Sequence, residues 1–314
     1  MAVERIVALS GGVGGSRFTR GLRAAAPQAQ LTAVVNTGDD ITLHGLRISP
    51  DVDTVLYALS GLVDEKRGWG PRGDTFSCMT ALDCLGGDTW FRLGDKDLAT
   101  HLRRTELLAQ GWPPSKVTAE LGRRLGIQAT VLPMSDQPVE TCIQLAESGE
   151  WVHFQEYFVH RRTDVAIRDV RFEGIEHALP APGVLDAIAS AQLVAICPSN
   201  PFVSIAPILA VPGVREAIDA SPARVVGVSP IIGGATVKGP AARMLAELGL
   251  EVSVLGVARQ YAGLVDMFVI DAVDAHLADG LRALEMKPVV TDAWMRNKRG
   301  EARFARAVLR AVER

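Results

Sequence analysis

Short apolar runs and segments with hydrophobic residues at helical spacing alternate along the first part of the chain. Arg5–Ser10 (RIVALS) and Leu31–Thr37 (LTAVVNT) stop at turn residues, as buried parallel strands do. Between them, Gly11–Gly15 predicts a loop, and a helix is expected from Ser16 onward, where apolar residues recur every three to four positions. This order of strand, loop, helix and strand is typical of a doubly wound sheet.

A long block of helical patterns follows the second strand. We expect its helices at Pro50–Asp64, Thr75–Leu85, Lys96–Leu108 and Pro114–Leu125. The block is longer than a simple crossover connection needs. We therefore expect a helical cap, at about residues 55–125, over the edge of the sheet.

The hydrophobic period changes to two between Gln128 and about Glu173. ATVLPMS, ETCIQLAE, EWVHFQEYFV and VAIRDVRFEG all predict antiparallel strands. Helices and buried strands then alternate again, with strands expected at Leu193–Cys197, Val225–Val228 and Val252–Leu255.

Together these patterns predict an α/β fold. Its centre is a doubly wound, mostly parallel Rossmann-like sheet with a helical block and a small antiparallel β insertion. We expect residues 1–127 and 181–314 to form the nucleotide-binding core, and residues 128–180 to form the insertion.

Composition, net charge and cysteine spacing exclude several functional classes. The chain has 314 residues, of which 48% are hydrophobic and 22% charged, as in ordinary globular proteins. Its net charge of −3 provides no general attraction for nucleic acid or for an anionic membrane, and we found no run of about 20 apolar residues. The four cysteines lack the CxxC spacing of zinc sites or a disulfide framework. We expect a cytoplasmic protein without nucleic-acid or membrane partners.

The segment Gly11-Gly12-Val13-Gly14-Gly15-Ser16 is the first candidate for ligand chemistry. Glycines after a strand let backbone N–H groups approach a phosphate, and the next helix contributes its positive end. We expect Ser16 to cap that helix and to touch the anion. No GK[ST] follows, so the segment is not a P-loop. A plain tight turn is the alternative interpretation.

Acidic residues follow the second strand and open the next helix. Asp39 and Asp40 lie where open α/β sheets bind ligands, and carboxylates beside a phosphate indicate Mg²⁺. Asp51 and Asp53 project about 200° apart on a helix, so one is able to cap it while the other reaches a ligand. Either is able to bind metal or to accept a proton from a hydroxyl nucleophile. Solvated acids in an Asx turn, and helix capping alone, are the alternatives.

Two further loops follow predicted buried strands. One is Cys197–Pro201, in which Ser199 and Asn200 offer uncharged donors and acceptors to a nucleobase, a ribose or a phosphate. The other is Ser229–Gly234. Ordinary turn chemistry would also explain each loop taken alone.

The ordered set of segments resembles the 2-phospho-L-lactate transferase family of deazaflavin coenzyme F-420 biosynthesis. The resemblance runs from Arg5 to about Val257 and is carried by GGVGG, VVNTGDD, SPDVDTVLY, RGWG before DTF, LGDKDLATH, LPMSD, HFQEYFV, CPSNP and SPIIGG. GGVGG in place of GGTGT resembles the bacterial branch.

The resemblance implies a reaction. Such enzymes move a phospho-(three-carbon acid) group from a guanosine diphosphate-linked donor to the ribityl 5′-hydroxyl of 7,8-didemethyl-8-hydroxy-5-deazariboflavin, and GMP leaves. It also implies Mg²⁺ and a homodimer. The donor acid, whether lactyl, enolpyruvyl or glyceryl, stays open.

The resemblance also gives the candidate residues their expected roles. Gly11, Gly12, Gly14, Gly15, Ser16, Ser199 and Asn200 would hold the guanosine diphosphate part. Asp39, Asp40 and Asp51 are the candidates for Mg²⁺. Asp53 would bind the ribityl hydroxyls or take the proton, with Asp51 as the second catalytic candidate. Arg92 would bind the deazaflavin, and Lys96 is the alternative residue for this role.

Two alternatives belong to other functional classes. The same superfamily includes nucleotide-sugar-binding regulators, but LGDKD and SPIIGG beside PDVDT favour the enzyme. The GxG after the first strand also suggests a nicotinamide oxidoreductase. Arg17, in place of the third glycine, and Asn36, in place of the ribose-binding acid, count against it.

Overall fold

A computed structural model describes residues 3–314; the first two residues of the predicted core segment 1–127 lie outside this range. The strands are β1 (Arg5–Ser10), β2 (Gln30–Val35), β3 (Ile41–Leu43), β4 (Leu46–Ile48), β5 (Thr130–Pro133), β6 (Glu140–Leu145), β7 (Trp151–His153), β8 (Ile167–Glu173), β9 (Leu193–Ile196), β10 (Arg224–Val228), β11 (Ile231–Ile232), β12 (Ala235–Thr236), β13 (Met267–Asp271) and β14 (Lys287–Thr291). The α-helices are α1 (Gly12–Ala25), α2 (Pro50–Ser60), α3 (Ser77–Cys84), α4 (Asp95–Ala109), α5 (Pro114–Arg124), α6 (Val184–Ser190), α7 (Ala206–Ala210), α8 (Val214–Ala220), α9 (Ala241–Glu247), α10 (Val254–Arg259), α11 (Ala278–Ala283) and α12 (Lys298–Val312).

The central sheet has seven strands in the order β14-β13-β10-β9-β1-β2-β5, and every pairing in it is parallel. On one side of β1 lie β2 and β5, and on the other side β9, β10, β13 and β14 follow in chain order. The strand order therefore reverses between β1 and β9, and the loops after these two strands lie side by side. Open α/β sheets bind their ligands at such a switch point. The predicted α/β fold is confirmed.

Both faces of the sheet are covered, because successive residues of its buried strands alternate between two hydrophobic clusters. Val7 and Leu9 of β1 pack in the cluster that contains α6, α8, α10 and α11. Ile6 and Ala8 pack in the cluster that contains α1 and α12. The apolar runs of the sequence therefore form a sheet buried on both sides, as parallel sheets are.

The helical block is in large part a layer of the core. Val52 and Leu56 of α2 and Leu121 of α5 pack against β2 and β5 in one cluster. In contrast, α3 is mostly exposed, and Leu85 beyond its end is 85% exposed. The expected helix Pro50–Asp64 is shorter than predicted, because α2 ends at Gly61, which has a φ of 76°.

The antiparallel sheet of the insertion has the order β7-β6-β8. The prediction that ATVLPMS is antiparallel was wrong, because β5 pairs in parallel with β2 at the edge of the central sheet. EWVHFQEYFV is not one strand either: β7 ends at His153, and a short π-helix covers Glu156–His160. Periodicity alone does not distinguish these short apolar segments.

Two local predictions were wrong at helix starts. The helix expected from Ser16 begins at Gly12, so Gly12–Gly15 form its first turn instead of a loop. The expected strand Val252–Leu255 is the start of α10, because the Ser253 side chain accepts hydrogen bonds from two N–H groups of that helix.

Within residues 3–314, no single helix is both long and apolar enough to cross a bilayer. The one helix pair that meets the criteria of length and composition, Pro201–Ala210 with Val214–Ala220, is bent by 80°.

Candidate active site

A cavity of about 940 Å³ opens at the carboxyl ends of the central strands. Its walls come from the loops after β1 and β9, the first turn of α2, the loop before α4, the insertion and the segment after β14. Of the residues predicted as site members, those lining it are Gly11, Gly12, Gly14, Asp39, Asp51, Asp53, Arg92, Ser199 and Asn200. Gly15, Ser16, Asp40 and Lys96 do not line it.

The first turn of α1 forms the floor of this cavity at the switch point. The Gly12 N–H donates to Asp51 Oδ1 at 2.6 Å. A Cβ on Gly14 would lie 2.2 Å from the Pro198 carbonyl oxygen, so α1 packs directly against the loop after β9. Ser16 is buried, and its hydroxyl donates to the Val13 carbonyl. It therefore does not cap α1 as predicted; the N-cap position is Gly11.

The loop after β9 joins this turn through side-chain hydrogen bonds. Ser199 Oγ donates to the Gly11 carbonyl at 2.7 Å and accepts from the Gly11 N–H at 3.3 Å. The Asn200 side chain accepts from Phe202 N at 2.9 Å, so it caps the helical turn that follows. Both predicted residues therefore shape the crevice as well as line it.

Asn36 holds two carboxylates together beside the glycine turn. Its Nδ2 donates to Asp39 Oδ1 and to Asp51 Oδ2, each at 3.0 Å. Burial raises the pKa of Asp51 to about 6, although hydrogen bonds from Asn36 and Gly12 oppose the shift. Burial and the nearby charge of Asp51 raise the pKa of Asp39 well above its ordinary value. Burial thus disfavours the charged form of both carboxylates that Asn36 holds together.

The third predicted metal ligand lies apart from this pair. Asp40 Oδ2 accepts from Ser49 Oγ at 2.7 Å and lies 3.3 Å from an Arg47 nitrogen. It lines a separate cavity of about 280 Å³. Burial raises the pKa of Asp40 to about 6, while Arg47 and Ser49 oppose the shift. The structure therefore brings Asp39 and Asp51 together but places Asp40 in another environment.

Asp53 faces the cavity from α2 and is paired with a buried cation. Arg104 on α4 donates to both carboxylate oxygens of Asp53, at 2.9 Å for Oδ2. Nδ1 of His101 lies 3.6 Å from the same Oδ2. Arg104 and His101 were not among the predicted site residues. The spacing of Asp97, His101 and Arg104 on one helix face was the signal that would have indicated them.

Further cationic side chains that were not predicted as site residues line the cavity, and two of them are Arg17 and Lys238. Arg17 follows the glycine turn on α1, and Lys238 lies after β12. Burial, with a smaller contribution from the Arg17 charge, lowers the pKa of Lys238. The Lys238 ammonium donates to the Arg67 carbonyl at 2.7 Å. The cavity thus offers positive charge close to the glycine turn.

Aromatic side chains form another part of the wall. Phe154 and Phe158 of the insertion stack in parallel with ring centroids 5.4 Å apart, and Trp90 stacks on His160 at 5.1 Å. The Arg92 guanidinium lies 4.5 Å from the centre of the Phe76 ring. Lys96 instead donates to the Arg72 carbonyl. Flat apolar surfaces beside an exposed guanidinium suit a polar aromatic ring.

The fold and the site define a doubly wound α/β protein whose ligand cavity lies at the switch point. Residues 6–309 match the family described as 2-phospho-L-lactate transferase CofD. The chain belongs to this family and is a transferase.

Its relatives cover nearly the whole chain. A phosphoenolpyruvate transferase of Streptomyces griseus is 46% identical over 313 residues, covering 98% of each protein. A 2-phospho-L-lactate transferase of Methanosarcina mazei is 41% identical over 269 residues, covering 86% of this chain and 88% of that protein. A solved Bacillus halodurans protein of the UPF0052 family superposes with a TM-score of 0.62 over 100% of both chains, at 20% identity. That likeness concerns the fold alone.

Proposed function

We propose that the protein moves a phospho-(three-carbon acid) group from a guanosine diphosphate-linked donor to the ribityl 5′-hydroxyl of the deazaflavin, and that GMP is released, as a step of coenzyme F-420 biosynthesis. One observation carries the proposal: a single cavity has the glycine turn and two carboxylates on one part of its wall and aromatic rings on another. The relatives named phosphoenolpyruvate transferase make the enolpyruvyl donor the first to test.

The glycine turn suits the diphosphate of the donor. The Gly11 and Gly12 N–H groups already donate to Ser199 and Asp51, so the first turn of α1 offers a phosphate the N–H groups of Val13 and Gly14 and the positive end of the helix dipole. Arg17 and Lys238 add full positive charges to the same cavity. In phosphoryl transfer, such positioning and charge neutralisation account for most of the catalysis.

Asp39 and Asp51 fit the expected Mg²⁺. Mg²⁺ prefers one or two carboxylates together with phosphate oxygens, and Asn36 holds one oxygen of each of these two carboxylates at the cavity wall. The bound ion would neutralise negative charge on the diphosphate. Only the sequence supports Asp40 as a ligand of Mg²⁺. In the structure, Arg47 already compensates the charge of Asp40.

Asp53 is the residue that we assign to the acceptor hydroxyl. The 5′-oxygen forms a bond to the phosphorus nearer the three-carbon acid, and the bond from that phosphorus to the bridging oxygen breaks. GMP departs with that electron pair. The hydroxyl proton leaves toward the Asp53 carboxylate, which accepts the hydrogen bond that orients the nucleophile. Asp51 is assigned instead to Mg²⁺, because it lies beside Asp39 and the glycine turn.

The proposal is tested by mixing purified protein, Mg²⁺, the deazaflavin and the guanosine diphosphate-linked enolpyruvyl donor. We expect GMP and the phosphorylated deazaflavin to form in equal amounts, detected by chromatography and mass spectrometry. The lactyl and glyceryl donors are compared in parallel. Binding of a UDP-sugar, without GMP release from any donor, would instead favour the regulatory alternative.

The carboxylate pair predicts a pH-dependent effect of Mg²⁺ on stability. The raised pKa of Asp51 means that, from about pH 4 to about pH 6, the folded state holds a proton that the unfolded state has lost. Without metal, the free energy of unfolding therefore falls as the pH rises through this window. Since Mg²⁺ binds the ionised pair, saturating Mg²⁺ should raise the Tm by about 5 °C near pH 7.5 and have little effect near pH 5.

Differential scanning fluorimetry with and without Mg²⁺ measures this effect. Asp51→Asn should abolish it, whereas Asp279→Asn, at a side chain that is 93% exposed, should retain it. An equal Mg²⁺ effect at both pH values would contradict the assignment of the metal to Asp39 and Asp51.

We also propose the homodimer and the cytoplasmic location that the resemblance and composition imply. The exposed apolar residues Leu85 and Leu102, which are 85% and 58% exposed, support a protein contact on the helical block. Light scattering after size-exclusion chromatography measures the mass, and twice 33.6 kDa is expected.

A further inference from the structure

A buried polar network surrounds Asp53 between α2 and α4, and Tyr57, Asp97 and His101 of this network also line the cavity. Asp53 and Tyr57 lie one turn apart on α2, and Asp97, His101 and Arg104 share a face of α4. His101 and Arg104 are 1% and 3% exposed. Buried charges are costly unless they are paired and hydrogen-bonded, so this network must be held together by its own contacts.

The contacts form a chain that ends at Asp53. The Tyr57 hydroxyl donates to Asp97 Oδ1 at 2.7 Å, and Nε2 of His101 lies 3.4 Å from Asp97 Oδ2. On its other side, Nδ1 of His101 lies 3.3 Å from NH1 of Arg104. The same NH1 donates to Asp53 Oδ2 at 2.9 Å. The imidazole therefore lies between the anchored Asp97 and the guanidinium that holds Asp53.

We infer that His101 is a positioning residue for the transfer reaction. Its Nδ1 accepts a hydrogen bond from Arg104 and fixes the guanidinium, which in turn fixes the carboxylate of Asp53 toward the acceptor hydroxyl. Because a guanidinium only donates, this bond requires an unprotonated Nδ1, and the neutral ring then carries its proton on Nε2, which lies 3.4 Å from Asp97 Oδ2 without a hydrogen bond. This inference rests on the proposed function, because it needs a reaction in which the position of Asp53 matters.

Two substitutions at position 101 distinguish this role from that of a simple packing residue. An asparagine at position 101 offers an oxygen close to where Nδ1 lies, whereas a glutamine offers an amide close to where Nε2 lies. If holding Arg104 is the function of His101, His101→Asn should keep more activity than His101→Gln. If His101 acts only through its contact with Asp97, one turn earlier on the same helix, the order should be reversed.

A double-mutant cycle with Asp53 tests the inference in the transfer assay. His101→Gln should lower kcat by about 10- to 100-fold, since small misplacements of a reacting group have effects of this size. In the Asp53→Asn background, the same change should lower kcat by less than about twofold, because the group that His101 positions is already lost. GDP affinity, measured by calorimetry, should change by less than about threefold in either background.

The matched control is His177→Gln, at a histidine whose side chain is 83% exposed, which should retain wild-type rates. Independent, multiplicative losses in the cycle, or an activity of His101→Gln at or above that of His101→Asn, would overturn the inference. Those results, in an active wild-type enzyme, leave the proposed function intact. A wild type that releases no GMP contradicts the proposed function itself.

Discussion

Asp53→Asn should lower the transfer rate by about 100- to 1,000-fold while GDP affinity stays close to that of the wild type. Positioned acid–base groups contribute about 10²- to 10⁴-fold to such reactions, and the amide accepts only weakly at the place where the carboxylate accepts strongly. Asp53 faces the cavity without contacting the glycine turn, whose N–H group at Gly12 bonds to Asp51 instead. Donor binding and transfer should therefore separate in this variant.

The same variant should also be less stable. Arg104 is 3% exposed, and Asp53 is the carboxylate to which both of its terminal nitrogens donate. Removing one charge of a buried pair leaves the other uncompensated, at a cost of about 3 kcal/mol. We expect a clear fall in Tm with an unchanged circular-dichroism spectrum at 25 °C.

Single-turnover kinetics, calorimetry with GDP and thermal unfolding measure the three quantities on one protein preparation. Asp186→Asn is the control, because Asp186 is an exposed acid of α6. A wild-type transfer rate from folded Asp53→Asn would remove the role that we assign to this carboxylate. Loss of GDP binding in that variant would mean that Asp53 acts on the donor.

The positions of the segments at the switch point were predictable because they depend on local patterns. A glycine segment after β1 and a polar turn after β9 each follow a recognisable apolar run, and parallel strands bring their carboxyl ends to one edge. The same logic places Asp39 after β2. The predicted and observed positions of the candidate residues therefore agree best for residues that directly follow a buried strand.

The partners of Asp53 and the isolation of Asp40 depend on tertiary packing. Arg104 lies 51 residues from Asp53, and only the docking of α4 on α2 brings the two together. Asp39 and Asp40 are neighbours in sequence, yet Asn36 turns one toward Asp51 while Ser49 and Arg47 hold the other. The local pattern of a single sequence does not indicate which of these long-range contacts form.

Helix and strand errors have a related cause. The sequence of β5 has the pattern of any short apolar strand. Its parallel pairing with β2, which the pattern does not indicate, makes it part of the central sheet. The helix start at Gly12 instead of Ser16 moves the glycines from a loop into a helical turn. Gly14 and Gly15 are then required for the close approach of other atoms, whereas Gly12, with a φ of 62°, still needs the backbone freedom of glycine.

Gly14→Ala therefore gives the strongest test of the donor site. A Cβ at this position would lie 2.2 Å from the Pro198 carbonyl oxygen, so α1 and the loop after β9 must separate by at least about 1 Å. Overpacking of this kind costs about 1–3 kcal/mol. Ser199 of the displaced loop holds Gly11, so the movement disturbs both sides of the proposed diphosphate site. GDP affinity should fall by at least about 30-fold, with a matching loss of transfer.

Gly122→Ala is the matched control for the same chemical change. Gly122 lies within α5, and the atom nearest to an added Cβ would be Leu56 Cδ2 at 3.6 Å, an ordinary van der Waals contact. Alanine there should stabilise the helix by about 0.5–1 kcal/mol and leave GDP affinity unchanged. Calorimetry and thermal unfolding compare the two variants directly. If folded Gly14→Ala binds GDP as tightly as Gly122→Ala, the contact between the glycine turn and the loop after β9 does not form the donor site, and the diphosphate must bind elsewhere in the cavity.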